Sequence, residues 1–578
     1  MHVIGSGSRI PCGKMSVVSS RVSSVSSILK SSGVRSQLIR RSNKVYFKLP
    51  KDFRTIIYNY ESGNGTKDYD DLICVLRDSC IKDSDLVEFL ANVKQCTSLL
   101  GPAHKTLLDT ILQIKWTNRS MEVINAYKAF LENLICIQTY YAKTVIDNLV
   151  ELFKPDENDD AKWETGECKE ETLQRLNHIH DVFRKTLIIL PMSSKLLLQS
   201  LRGRFPYMAH GTHTHEVYVY ALIQILEYAP QMRSDILSLI INRLVVLDVN
   251  IPHSEVDDED EDMIDDNESD STLGNENNIV EGKSRTETDE MHPIAHKLDV
   301  CIELILKYMY DSCFTEGVLR IESLRSLYFD LLNIFETVIL PTHASQYVQY
   351  IMFYICSFKT AVVESFIDWL WRKGTDPNVP SIIRQSSVSY IASLVATAKF
   401  VSAGLVKAVQ FKMSKWIHDY INMQDHLQYA DHTRKDHTVF YAVCQALFLI
   451  ITKRHNDYQD SKKYMLYLQE LDLAKIITCK LNPLKSCHSE IVHNFAEFTR
   501  MYQLAYCYTI IENNTRNQLP IYNDDKIVTT TVENFFPFSI YTLKRSGHRI
   551  IPLCRENITR KRYKSFTEYR EDVEYMTD

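Results

Sequence analysis

Apolar residues recur along most of this chain at spacings of three and four, the period that returns them to one side of an α-helix. The clearest unit covers residues 214–246. Its first helix sets Val217, Tyr220, Ala221, Gln224 and Tyr228 along one flank; Pro230 stops it, and Ser234 is placed to cap a second helix. That second helix repeats Ile236, Ile240 and Leu244 beside Leu237, Ile241 and Val245. The turn between them is only a few residues long, so the pair forms a hairpin whose apolar stripes require neighbours to cover them.

The same unit is predicted again at 347–358 with 361–373, and at 385–400 with 402–421, where Leu405, Val409, Met413, Trp416 and Tyr420 make a stripe. Single helices are predicted over 438–454, 464–481 and 489–512. Helix pairs at roughly forty-residue spacing are what a HEAT or armadillo stack requires. The expected fold is therefore all-α: a HEAT/armadillo-like α-solenoid of helix pairs with a disordered acidic insertion. Five segments are expected. They are a Ser-rich basic arm at 1–45, a HEAT-like half at 46–250, an acidic linker at 251–290, a second HEAT-like half at 291–550 and a short charged tail at 551–578.

Composition supports the helical reading, because glycine and proline are scarce at 16 each and 45% of the chain is hydrophobic. The formal charge of -7 hides a segregation. Residues 255–290 hold sixteen Asp or Glu against Lys283 and Arg285, and residues 1–51 hold ten Lys or Arg and no acid. The remaining body carries 54 basic and 57 acidic residues, too near neutrality for strong non-specific phosphate binding. The arm lacks the apolar bulk to order itself. A mitochondrial transit peptide shares its acid-free, Arg- and Ser-rich composition, so composition alone leaves both readings open.

None of the fourteen cysteines forms a C-x-x-C pair, and Cys356, Cys444 and Cys507 sit inside apolar helical runs, the habit of a reducing compartment. The longest apolar run, FYAVCQALFLII at 440–451, is too short to cross a bilayer. A soluble, intracellular protein is expected.

Chemistry is sparse. The segment GSGSRIPCGK has Ser8 where a phosphate loop requires its first glycine, and Met15 where it requires Ser or Thr. No G-x-S-x-G or H-E-x-x-H is present. Three histidine groups come into question as metal sites: His210, His213 and His215; His426, His432 and His437 with Asp425 and Asp436; and Cys487, His488 and His493. Each lies largely in a loop without a partner cluster at zinc-site spacing, and surface or helix-end roles fit them better. Neither a catalytic residue, a cofactor, a metal nor a small-molecule substrate is expected.

Seven blocks in the second half are more specific than periodicity: LPTHAS at 340–345, MFYICSFK at 352–359, DPNVPSIIRQ at 376–385, YIASLVATAKF at 390–400, LNPLK at 481–485, YQLAYCYTIIENN at 502–514, and FFPF followed by LKRS within 535–546. In this order they resemble the RNA polymerase I-specific transcription initiation factor family. Weaker similarity reaches back through KWTNRS at 115–120 and RLVVLDVN at 243–250.

The resemblance implies a HEAT-repeat protein of the nucleus and nucleolus that binds RNA polymerase I near its stalk and dock surfaces. It also implies a bridge to the promoter-bound selectivity or core factor at ribosomal RNA genes, regulation by phosphorylation, no sequence-specific DNA readout, no membrane contact, and room for a homodimer. It favours a basic arm over a transit peptide.

YIASLVATAKF resembles the segment that faces the promoter factor, with Ser389, Thr397 and Lys399 as its polar contacts and core packing as the competing role for the block. Ser42, Ser120, Thr212 and Thr214 are candidates for phosphorylation that tunes polymerase docking, with Thr214 alternatively an N-cap. The run RKR at 560–562 is a nuclear-import candidate. A generic HEAT-type adaptor in transport or complex assembly would share the fold but not the seven blocks.

Overall fold

The computed structural model describes residues 49–50, 52–78, 81–155, 168–252, 292–343, 345–426, 437–457, 461–516, 536–538 and 541–555. The basic arm with Ser42, the acidic linker from residue 253 and the tail beyond residue 555 lie outside the described residues. The chain divides into two compact units, Met1–Asn148 and Leu149–Asp578.

In the first unit the predicted periodicity becomes α1 (Phe53–Glu61), α2 (Thr66–Asp78), α3 (Asp83–Gln95), α4 (Lys105–Leu112), α5 (Met121–Ile137) and most of α6 (Ala142–Glu151). Asp52 starts α1 by accepting the Thr55 N–H at 3.2 Å, which satisfies one donor that a helix N-terminus leaves open. The core closes around Trp116, which stacks on Tyr127 with ring centroids 5.0 Å apart. The Tyr127 hydroxyl, fully buried, donates to the Ile111 carbonyl at 2.9 Å, so the ring is buried without stranding its polar end.

The second unit begins with α7 (Glu170–Ile189), α8 (Ser193–Arg204), α9 (Thr212–Tyr228), α10 (Arg233–Val249) and α11 (Pro293–Cys313). It continues with α12 (Ile321–Ile334), α13 (Tyr350–Ser357), α14 (Thr360–Thr375), α15 (Ser381–Thr397), α16 (Ala403–His426) and α17 (Thr438–Arg454). Then follow α18 (Ser461–Glu470), α19 (Leu473–Thr478), α20 (Pro483–Ser486), α21 (Ser489–Met501), α22 (Tyr508–Arg516) and α23 (Gly547–Ile550). Each helix packs on near neighbours: α10 on α11 and α12, α14 on α15, and α17 on α15, α16 and α21. This is the expected all-α, HEAT-like architecture of the α-solenoid class.

Helix α17 shows why its sequence is uniformly apolar. Residues 439–452 are all buried, so it is a central helix covered on every side rather than an amphipathic surface helix. Among the described residues no helix is long and apolar enough to cross a membrane.

The structure departs from the predicted elements in six places. The helix expected at 464–481 is two, α18 and α19, broken at Asp472 with φ of 45°. The helix expected at 489–512 is likewise broken between α21 and α22, where Gln503 has φ of 53°. Helix α9 starts at Thr212 with Gly211 as its N-cap, so Thr214 is inside the first turn and caps nothing. Helix α10 starts at Arg233 with Met232 at its N-cap, so Ser234 does not cap it either.

In α16 the buried line is Val406, Val409, Met413, Ile417 and Ile421, so of the predicted stripe Leu405, Trp416 and Tyr420 flank the core rather than fill it. A small hairpin also joins α11 to α12: β1 (Phe314–Thr315) pairs antiparallel with β2 (Val318–Leu319). Its turn residues Glu316 and Gly317 both have positive φ, 51° and 79°, the pattern of a tight primed turn.

Candidate partner-contact site

Helix α15 carries the YIASLVATAKF block, and its residues Tyr390 to Val395 are buried. That settles most of the block as core. What leaves the core is the turn that follows the helix, and three separate devices hold it.

The first device is a strap formed by residues 536–538 and 541–555. Phe538 is fully buried, with its ring 5.2 Å from those of Tyr350 and Phe353 and 5.7 Å from that of Tyr390. Its N–H donates to Ser393 Oγ at 2.8 Å, and its carbonyl accepts the Thr397 hydroxyl at 3.0 Å. Gln349 Nε2 donates to the Pro537 carbonyl at 2.7 Å.

The second device is a backbone bridge. Lys399 N–H donates to the Leu553 carbonyl and Arg555 N–H to the Thr397 carbonyl, both at 2.9 Å, with Ala398 paired antiparallel to Cys554.

The third comes from within. Arg454, 2% exposed at the end of α17, donates to the carbonyls of Ala398 at 2.9 Å and Val401 at 2.5 Å. Its guanidinium lies 2.6 Å from Asp457, which also receives Arg555 at 2.7 Å. A buried cation is thus neutralised by an acid and satisfied by carbonyls, and the turn has little freedom.

The strap is anchored at its far end by charge. Asp299 on α11 accepts the N–H groups of Arg545 and Ser546, each at 2.7 Å, and the Ser546 hydroxyl at 2.5 Å. Arg549 reaches Glu303 at 2.9 Å, and Arg545 reaches the buried Glu216 of α9 at 3.3 Å. A second carboxylate plays the same part nearby. Asp248 at the end of α10 accepts the N–H groups of Gln346, Tyr347 and Val348 at 2.9–3.0 Å. Burial nevertheless pushes its carboxyl up to about 6, desolvation outweighing the three bonds that favour the charge.

Four of the seven blocks therefore meet in one place. LPTHAS supplies the run into the loop that Asp248 holds, MFYICSFK supplies Phe353 and Tyr354, YIASLVATAKF supplies α15, and FFPF with LKRS supplies the strap. Of the contact candidates, Lys399 is exposed, Ser389 is half-buried, and the Thr397 hydroxyl is committed to the strap. Asp299, Arg454 and Asp457, which build the site, were not singled out from sequence; an arginine closing an apolar helix is its only local sign.

Of the phosphorylation candidates, Ser42 lies outside the described residues, Ser120 belongs to the first unit, and Thr212 and Thr214 lie in the turn of α9 that precedes Glu216, beside the strap's charged anchor. Ser120 is exposed at the N-cap of α5, and its N–H donates to Asp83 Oδ2 at 3.2 Å. Hydrogen bonding from Ser120 holds the Asp83 carboxyl below the usual carboxylate range, and Arg119 adds an ion pair at 3.1 Å. Thr212 and Thr214 are half-buried in the first turn of α9.

The histidine groups are placed structurally. His215 is buried against the Gly211 carbonyl at 3.0 Å, and burial pushes its imidazole down to about 4. His437 meets the Tyr420 hydroxyl at 2.8 Å, and His493 lies exposed beside Glu497. His432 lies outside the described residues, as do the side chains of Asp425 and His426. Among the described residues no three His, Cys, Asp or Glu gather as metal ligands.

The fold and this strapped turn define an all-α, helical-repeat scaffold protein. Residues 53–556 match the family described as RNA polymerase I specific transcription initiation factor RRN3, and the chain belongs to that family. It is 34% identical over 521 residues to the RNA polymerase I-specific transcription initiation factor RRN3 of Mus musculus, covering 86% of this chain and 79% of the relative. It is 25% identical to the Schizosaccharomyces pombe factor of the same description, covering 79% and 77%. The crystal structure of an RNA polymerase I transcription initiation factor, Rrn3, superposes with a TM-score of 0.70 at 20% identity, over 87% of this chain and 97% of that one, and shares the fold.

Proposed function

We propose that this protein is a non-enzymatic RNA polymerase I initiation factor that holds the polymerase and the promoter-bound selectivity factor together at ribosomal RNA genes. Its place of action is the nucleus, and within it the nucleolus. The observation that carries the reading is the family match over 53–556, joined to an exposed lysine on a turn fixed from three sides.

A tether works by raising the effective concentration of one partner near the other, so rigid presentation of the contact matters more than chemistry. Lys399 is the contact offered to the promoter factor; the polymerase, at its stalk and dock surface, takes a face of the N-terminal half. Neither contact requires a cofactor or DNA readout.

Phosphorylation tunes the second contact through Ser120. A dianionic phosphate there would stand beside the Asp83 carboxylate and break the Ser120–Asp83 bond, opening the entry to α5. Ser42, Thr212 and Thr214 remain weaker candidates, the last two because their side chains are half-buried.

Two substitutions test the assignment. Lys399→Glu is expected to reduce promoter-factor capture about tenfold or more while leaving polymerase capture intact, because an interfacial charge reversal costs several kcal/mol. Ser120→Asp is expected to weaken polymerase capture alone. Unchanged capture by a folded Lys399→Glu protein would remove the promoter-factor surface, and unchanged capture by Ser120→Asp would remove the regulatory one.

A further inference from the structure

The seam between α16 and α18 has no part in the strapped turn, yet its outer surface is unusual. Tyr467 fills it: its hydroxyl bonds the Lys407 carbonyl at 3.0 Å and Gln410 Oε1 at 3.1 Å, and Lys407 Nζ lies 5.4 Å from the ring centre. At the far end the Leu471 carbonyl accepts Ser414 Oγ at 2.8 Å and faces His418 Nε2 at 2.9 Å, so the two helices run side by side.

Beside Gln410 stands Phe411, 52% exposed, and beside Tyr467 stands Leu466, 62% exposed. Lys412 and Lys415 on α16 and Lys462 and Lys463 on α18 are exposed on the same two helices, with Lys407 half-buried. Residues 403–416 and 461–468 contain five lysines and no Asp, Glu or Arg. Acids border the surface: Asp368, which Lys412 engages at 2.7 Å, Asp419 one turn past Lys415, Glu470 one turn past Leu466, and Asp460, which precedes the lysine pair in sequence and lies outside the described residues.

We propose that this surface docks an acidic segment of a partner protein, one that carries an aliphatic or aromatic anchor. Charge complementarity selects the acidic partner: a lysine rim steers and orients an acidic chain, while the two apolar side chains supply what a binding centre needs, area that is desolvated on contact. A nucleic acid fits less well. Phosphate recognition favours arginine forks and polar donors, and an exposed leucine contributes nothing to it. The proposal is independent of the Lys399 surface, which belongs to the turn after α15.

Fluorescence anisotropy on the full chain tests it with three labelled probes: a short Asp/Glu-rich peptide with one Leu and one Phe, the same peptide with both anchors changed to Ala, and an oligothymidylate of matched charge. The anchored peptide is expected to bind most tightly. Lys412→Glu with Lys415→Glu, and separately Phe411→Ala with Leu466→Ala, are each expected to weaken it roughly tenfold, a change of about 1.4 kcal/mol. Circular dichroism on each variant confirms folding.

Equal binding of the anchorless peptide, tighter binding of the oligonucleotide, or indifference of folded variants would overturn the proposal. So would peptide binding that appears only after deletion of residues 255–290, since the occupant would then be the chain's own acidic stretch.

Discussion

Asp248 sets a pH dependence that a single residue can test. Its carboxyl ionises near 6 in the folded chain against an ordinary 3.8, so the native state retains a proton that the unfolded chain has released. The stabilisation this gives is complete below about pH 4, declines as pH rises, and is gone above about pH 6. From the two-unit difference it is on the order of 2–3 kcal/mol at most. Denaturant midpoints of the second unit are therefore expected to fall between pH 4 and 6.5 more steeply in the natural protein than in Asp248→Asn; parallel profiles would mean that burial does not dominate at this carboxyl.

Arg454 makes a second prediction at this scale. Arg454→Met leaves Asp457 short of a partner and strips donors from two carbonyls, so a loss of about 3–5 kcal/mol is expected, read as a drop of several degrees in melting temperature. A change within a degree would mean that Arg555 alone holds the turn. Neither residue announces its role in sequence. Asp248 bonds residues 98 to 100 positions away, and separations of that size leave no trace in local periodicity.

At the level of elements, apolar spacing located the helices well where packing is one-sided or complete. Ile236, Ile240 and Leu244, with Leu237, Ile241 and Val245, are all buried as the 3.6-residue period requires. Spacing failed at Asp472 and Gln503 because the apolar rhythm runs on through both breaks; Asp472, of a type that favours the left-handed region and capping α19 through the Lys475 N–H, carries a local sign of its break that Gln503 lacks. It also missed the strap as an element, since its described residues contain only the short α23 and a single 3-10 turn at Ile551–Leu553 and are held by partners as far as 247 positions away.

The strap yields its own prediction. Phe538→Ala removes a ring packed among three aromatic neighbours and is expected to cost about 3–5 kcal/mol of strap docking. Limited proteolysis should then cut near residues 541–555 far faster than in the natural protein, while α1 to α5 stay protected. Equal cutting rates would mean that the charged anchor at Asp299 suffices alone.

For the molecule as a whole, sequence carried the class and the family through seven ordered blocks, and structure explains why four of them travel together: they build one aromatic and ionic joint. Composition pointed away from chemistry, with a near-neutral body, although His213 and His215 sit within α9 and His493 within α21 rather than in the loops expected of them. The proposed partner surfaces were only partly legible, because a candidate contact such as Lys399 is ordinary until the turn beneath it is known to be fixed. The proposed role is to join two large assemblies without reacting with either. Its most direct measurement is retention of purified RNA polymerase I on immobilised ribosomal promoter DNA carrying the selectivity factor, with and without this protein. Retention is expected to depend on the protein and to be lost with Lys399→Glu although that variant still binds polymerase; equal retention without the protein, or full retention with the variant, would rule out tethering through this turn.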